Sequence, residues 1–246
     1  MRSVKGKSIL RGILWILLIA SGGTVRAETG RSYEGLIEPS EVVEVSSHVR
    51  GTLEAVMVER GDRVQKGQAV ARITSDVEKA AVELARSRVE FALRKVERNE
   101  DLYRQELISI HDKDEMETEL RIARLELQEA EARLAMRTIR SPIHGVVVER
   151  MLSPGEYVGE DPILEIARID PLFVEVVVPV ERFGSIRNGM EAEVRPELPE
   201  SEPRTARVII VDRVMDAASG TFGVRLRMPN PGHRLPAGLK CRVSFQ

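Results

Sequence analysis

Between residues 75 and 138 the chain alternates apolar and charged positions at helical spacing, with neither glycine nor proline to interrupt it. In the second half of this stretch Met116, Leu120, Ala123, Leu127, Ala130 and Leu134 recur at steps of four and three, a heptad seam. The first half carries a weaker series, Val77, Ala80, Leu84, Ser87 and Phe91, followed by Arg94 and Arg98. Of the 64 residues, 28 are charged. Glu90/Arg94, Glu100/Arg104, Glu117/Arg121 and Glu129/Arg133 place acid before base four positions apart, the better orientation on a helix. Ser75 with Glu78, and Ser109 with Asp112, read as capping boxes. The pattern predicts two antiparallel helices, about 76–105 and 110–138, each roughly 40–45 Å long. Their narrow seam and charged flanks describe a solvated rod.

The segments flanking this rod repeat each other. Gly51, Gly61 and Val64 recur as Gly145, Gly155 and Val158 at an offset of 94, and Val70 and Ile73 recur as Ile163 and Ile166 after a slip of one. Both copies are rich in β-branched residues and bounded by glycine, so each reads as short strands joined by tight turns. Gly51, Gly61, Gly67, Gly145 and Gly155 are expected to be turn residues with positive φ. Two half-motifs on either side of a helical hairpin predict one small β-sandwich interrupted at its tip. From Pro171 onward, short β-branched runs alternate with turn signals, as expected of a second, barrel-like β domain. Residues 33–44 are expected to add its first strand.

The amino terminus has the order of a secretory signal: basic residues 2–11, the apolar run Ile13–Ala20, then Val25-Arg26-Ala27 before an expected cleavage. An uncleaved anchor is the alternative. The run is shorter than the ~20 residues a spanning helix needs. Either way the chain is expected to work outside the cytoplasm, in a bacterial periplasm. Removing the five cations of residues 1–27 from 37 leaves 32 basic against 39 acidic residues. That balance argues against a nucleic-acid partner. The lone Cys241 excludes an internal disulfide.

Little in the sequence suggests chemistry. His48, His111, His144 and His233 share no ligand spacing, and the methionines are scattered. There is no phosphate loop and no nucleophile elbow. No catalytic, metal or cofactor site is expected, and the chain reads as a non-enzyme.

Gly-Asp-Arg-Val-Gln-Lys-Gly-Gln at 61–68 and Ile-Arg-Ser-Pro-Ile-His-Gly-Val-Val at 139–147 resemble the split lipoyl (biotinyl-like) domain of periplasmic adaptor proteins. These are the membrane fusion proteins of the HlyD/AcrA type. The resemblance extends over nearly all of residues 34–246. It implies a mixed α and β, multi-domain fold: a signal peptide at 1–27, a β-barrel from 28–44 and 168–246, a split lipoyl domain from 45–74 and 139–167, and a coiled-coil hairpin at 75–138. Family members that dock on TolC-like channels carry Arg, three residues, Leu, six residues, Ser across the hairpin tip. Here those positions are Arg98, Leu102 and Ser109. Their plainer readings are a solvated charge, a last seam residue and an N-cap.

The resemblance implies an adaptor that oligomerises, commonly as a hexamer. It would bridge an inner-membrane transporter to a TolC-like outer-membrane channel for export of small molecules. The sequence stops at Gln246, with little chain left for the fourth, membrane-proximal domain of larger members. Two alternatives remain: an envelope scaffold, and a biotin or lipoyl carrier that uses Lys79. In the latter the carrier lysine would sit on a tight hairpin, whereas Lys79 is expected in the first turns of a helix.

Overall fold

The computed structural model describes residues 32–246. The expected signal segment and its cleavage point lie outside the described residues. The strands are β1 (Tyr33–Val45), β2 (Gly51–Val56), β3 (Arg63–Val64) and β4 (Ala69–Ile73). The helices α1 (Asp76–Arg104) and α2 (Ile110–Ala135) follow. Then come β5 (Thr138–Arg140), β6 (Gly145–Arg150), β7 (Tyr157–Val158), β8 (Leu164–Pro179), β9 (Glu191–Pro196), β10 (Arg204–Val211), β11 (Thr221–Met228) and β12 (Leu239–Phe245).

Six strands close a barrel in the order β1-β12-β9-β10-β11-β8, because β1 also pairs with β8. Period-two alternation drives it: β11 reads half-buried, buried, half-buried, buried along Thr221–Leu226. Its inward residues include Ile37, Leu172, Val176, Val194, Val208, Leu226, Met228 and Val243. The barrel is closed near the short 3-10 turn Pro231–His233 by Asn230, which is fully buried. Its main-chain N–H donates to Asp170 Oδ1 at 2.9 Å. Its Nδ2 donates to the carbonyls of Ile169 and Leu235, both at 2.8 Å, and its Oδ1 accepts from Leu235 N at 3.0 Å. A buried amide is tolerable because each of its groups is used.

A second core holds Leu53, Val64, Val70, Ile73, Val147, Val158, Ile163 and Ile166, so four pairs of repeat-related positions share one interior. The repeat pairs with itself reciprocally. Gly51 lies opposite Val158, and Gly145 opposite Val64. Leu53 N donates to Glu156 O at 2.8 Å, and the equivalent Val147 N donates to Asp62 O at 2.9 Å. Gly155 N donates to Leu53 O, and Gly61 N to Val147 O. β2 also pairs with β4 within the first half and β6 with β8 within the second, but the halves are joined because each supplies a partner strand to the other.

The repeated glycines divide by cause. Gly61 and Gly155 both have φ of 93°, and Gly67 has 84°, in the left-handed region that favours glycine. Gly51 and Gly145 correct the expectation of turns: they open β2 and β6, with no positive φ. Space is their reason. A Cβ on Gly145 would lie 2.5 Å from the Ala167 carbonyl oxygen, and one on Gly51 would lie 2.6 Å from Ile73 Cγ2.

Two strands run through both cores. β1 pairs with β8 from Gly35–Val176 to Val45–Leu164, with one register shift between Pro39 and Glu41. The antiparallel helices leave the sandwich after β4 and return at β5. They are fastened at their base by Arg137, which donates to Glu78 Oε1 at 2.5 Å and to Arg50 O at 3.0 Å. Both partners of that ion pair are about four-fifths buried, unlike most of the ion pairs along the rod.

Candidate functional site: the helical hairpin and its tip

The seam of α2 is as the periodicity predicts, with Met116, Leu120 and Ala123 buried. The seam of α1 differs from the expected one. Its inward residues are Val82, Ala85 and Ala92, with Val89 and Val96 half-buried between and beyond them. Val77, Leu84 and Phe91 face solvent at 79%, 58% and 63% exposure. The reason is packing distance: alanines at 85, 92 and 123 let the helices approach closely, and larger side chains there would hold them apart. Ion pairs flank the seam, including Lys95 with Glu119 at 2.6 Å and Arg88 with Glu126 at 2.9 Å. Most are exposed, so they set register more than they stabilise.

The tip is built by two opposed caps. At the end of α1, Glu106 N donates to Tyr103 O and Leu107 N to Leu102 O, both at 2.9 Å. These are the two bonds of a Schellman motif. Its left-handed position is normally glycine, but here it is Glu106, with φ of 59°. At the start of α2, the capping box is complete. Ser109 Oγ accepts from Asp112 N at 3.2 Å and donates to Asp112 Oδ2 at 2.7 Å, and Ser109 N donates to Asp112 Oδ2 at 3.0 Å. These bonds hold the Asp112 carboxyl below the usual carboxylate range. At the other helix start, Ser75 is buried and makes no cap bond. Glu78 is taken by Arg137 instead. Lys113 ties the two helices, lying 4.4 Å from the Tyr103 ring centroid and 3.8 Å from Glu100.

The three positions expected at the tip therefore differ in kind. Arg98 is exposed and, among the described residues, makes no ion pair or hydrogen bond. Leu102 is 36% exposed and sits one turn nearer the tip. The Ser109 hydroxyl is used by its own helix cap. Sequence reasoning missed two further apolar residues here, Leu107 and Ile110, at 65% and 62% exposure. Two large aliphatic side chains within a charged turn were the signal that could have found them.

No group of three or more histidine, cysteine or acidic side chains that could hold a metal occurs among the described residues. Lys79 lies on α1, pairing with Asp76 at 3.3 Å, rather than on a strand-to-strand hairpin. Among the described residues no helix is long and apolar enough to cross a membrane.

Comparison with known proteins places this geometry. Residues 41–168 match the CzcB-like barrel-sandwich hybrid domain, and residues 171–246 match the CusB-like β-barrel domain. The chain is 22% identical over 233 residues to the cobalt-zinc-cadmium resistance protein CzcB of Cupriavidus metallidurans, covering 87% of this chain and 45% of that protein. It is 23% identical over 234 residues to the multidrug resistance protein MdtE of Escherichia coli K12, covering 83% and 61%. The chain thus spans about half the length of such relatives. Among solved structures, a MacA–MexA chimera containing the Pseudomonas aeruginosa MexA α-hairpin domain superposes with a TM-score of 0.73 at 18% identity, over 88% of this chain and 80% of that one. A closed barrel, a split sandwich whose halves pair reciprocally, and a hairpin between those halves account for both domain matches. The chain belongs to the membrane fusion protein family, the periplasmic adaptors of efflux systems.

Proposed function

We propose that this chain is a non-enzymatic periplasmic adaptor that oligomerises and bridges an inner-membrane transporter to a TolC-like outer-membrane channel during export of small molecules. The observation that carries this reading is the tip. A charged, solvated rod ends in exposed Leu102, Leu107 and Ile110, with the guanidinium of Arg98, unpaired among the described residues, one turn behind. An apolar end on a rod that needs no apolar surface for solubility suits a docking knob. An arginine fork suits carbonyl or carboxylate acceptors on a channel. Ser109 shapes the knob through its cap. The barrel faces the transporter, and the hairpin transmits position rather than chemistry. Hexameric assembly, the periplasmic location and the secretory signal belong to the same reading.

The carrier alternative loses support from the placement of Lys79 on a helix. The scaffold alternative is separated by experiment. Tagged chain is recovered from the native envelope in mild detergent beside Arg98→Asp and Leu102→Asp variants, and partners are identified by mass spectrometry. The expected result is recovery of both a transporter and a channel with the parent chain, and loss of the channel alone with either variant. Recovery of neither partner after crosslinking sinks the adaptor reading. Retention of the channel by both variants sinks the tip assignment.

A further inference from the structure

The barrel has a free end, remote from the rod, that is both apolar and basic. β1 and β8 fix its direction: they meet the sandwich at Val45 and Leu164, so Tyr33 and Pro179 lie at the opposite end. Two loops project there, 180–190 after β8 and 212–220 between β10 and β11. They are tied together, because Val180 N donates to Gly220 O at 2.9 Å. Phe183 stands edge-on to Phe222, with ring centroids 5.4 Å apart, yet it stays 47% exposed. In the other loop Val214 is 87% exposed, and Met215 beside it is also open to solvent. Arg182, Arg187 and Arg213 are exposed on the same loops and, among the described residues, form no ion pair. Arg187 and Arg213 share with Phe183 and Val211 a shallow recess of about 310 Å³. By count the loops are neutral, since they also hold Glu181, Asp212 and Asp216. Two of those acids turn back on the fold. Asp216 accepts from Ala218 N at 2.9 Å within its own turn, and Asp212 lies over Gly223. Glu181 is left against three arginines.

We propose that this end rests on a lipid surface bearing anionic phosphates. Phe183, Val214 and Met215 enter the headgroup layer, and Arg182, Arg187 and Arg213 pair with its phosphates. Apolar side chains ringed by cations are what an interfacial contact requires, and an arginine fork matches a phosphate. The recess between Arg187 and Arg213, floored by Phe183 and Val211, has room for one headgroup at the meeting of charge and apolar surface. The sequence before β1 points to the same occupant. Basic residues 2–11 and the apolar run Ile13–Ala20 precede Tyr33, with residues 21–32 between. Twelve extended residues reach at most about 40 Å. While that run is in a membrane, during export or as a retained anchor, the end of the barrel at which Tyr33 enters is held within that distance of the bilayer. The inference rests on the adaptor reading for orientation alone: a rod that points to an outer-membrane channel leaves this end toward the inner membrane, beside the transporter.

The test uses the full chain in the form recovered from the envelope. A Val214→Cys variant is labelled with a polarity-sensitive fluorophore; Cys241 is buried in the barrel and stays silent. A Glu202→Cys variant, labelled in the loop between β9 and β10 at the other end of the barrel, is the control. The probes are vesicles of phosphatidylglycerol with phosphatidylethanolamine, and vesicles of phosphatidylcholine alone. The expected result is a blue shift at position 214 and none at 202, stronger on the anionic vesicles and weakened by salt. In the 214-labelled chain Phe183→Glu is expected to weaken the vesicle response about tenfold or more, through the lost apolar contact. Arg187→Gln and Arg213→Gln are each expected to weaken it about fivefold at low salt. Circular dichroism checks that these surface changes leave the fold intact. No shift at 214, an equal shift at 202, or an unchanged response of Phe183→Glu overturns the proposal. If position 214 ignores vesicles while Phe183→Glu loses the transporter in the pull-down, this end belongs to the transporter and the proposal also falls. A shift at 214 in a chain that recovers neither envelope partner supports the lipid contact while sinking the bridging reading.

Discussion

Replacing Asn230 by alanine tests how the barrel end is held. The truncation removes three side-chain hydrogen bonds: two donated to the Ile169 and Leu235 carbonyls, and one accepted from Leu235 N. It leaves the main-chain bond to Asp170 in place. Each intramolecular bond is worth roughly 1 kcal/mol net, and a buried donor or acceptor left unpaired costs roughly 1–3 kcal/mol. Asn230 is fully buried, and Leu235 beside it is 2% exposed, so water has poor access to the freed groups. The expected loss is therefore about 3–5 kcal/mol, a large part of the stability of an ordinary domain. Urea unfolding followed by hydrogen exchange resolved along the chain is the assay. Protection in β8, β11 and β12 should fall together, while α1 and α2 keep theirs. An Asn230→Asp variant should also destabilise, because a carboxylate offers no donors to the two carbonyls. A loss below about 1 kcal/mol for the alanine variant would refute the argument, since a satisfied dry network cannot be removed at that cost.

Two other outcomes follow from local geometry. Gly145→Ala should destabilise the sandwich by about 1–3 kcal/mol, since its new Cβ would press on the Ala167 carbonyl, a backbone atom that moves only with β8; an unchanged thermal midpoint would contradict this. The Cys241 thiol is pushed up from 9.0 to about 11 by burial and by the nearby charge of Glu197. An unfolded chain loses that proton first, so the contribution is intact below about pH 9 and disappears as pH rises through about 11. Iodoacetamide should leave the native thiol unlabelled at pH 8 and label it in urea, and labelling of native protein at that pH would refute the buried placement.

Much of this architecture was written in local patterns. Leucines at regular steps in α2, the unbroken charged stretch and the 94-residue repeat all report positions that share an environment. The first helix was misread because exposed Leu84 and Phe91 are larger than buried Ala85 and Ala92, and periodicity weighs size. Which face is inward depends on how closely the partner helix approaches. The glycines pose the same problem. Gly145 and Gly155 are one residue type in two roles, and only the neighbouring strand tells a crowded Cα from a left-handed one. The repeat displayed equivalence but not exchange, because an offset between copies does not say which copy each strand pairs with. Asn230 gave no signal, since one amide in a proline-rich loop reads as solvent-facing until the barrel closes over it. At the tip, the spaced triplet Arg98, Leu102 and Ser109 was legible, whereas the left-handed Glu106 that presents Leu107 was not.

The paired run of β1 and β8 has a mechanical consequence. A domain joined to its neighbour by one strand swivels about single bonds, but this barrel and sandwich share two strands cross-braced by hydrogen bonds on both sides of the Pro39–Glu41 shift. Such a ribbon resists stretching and shear, because either would break several bonds at once. It bends most easily across its thin direction, at the shift where the ladder is interrupted. A load applied to the barrel would therefore reach the helices as a tilt about one axis, with little loss to twist.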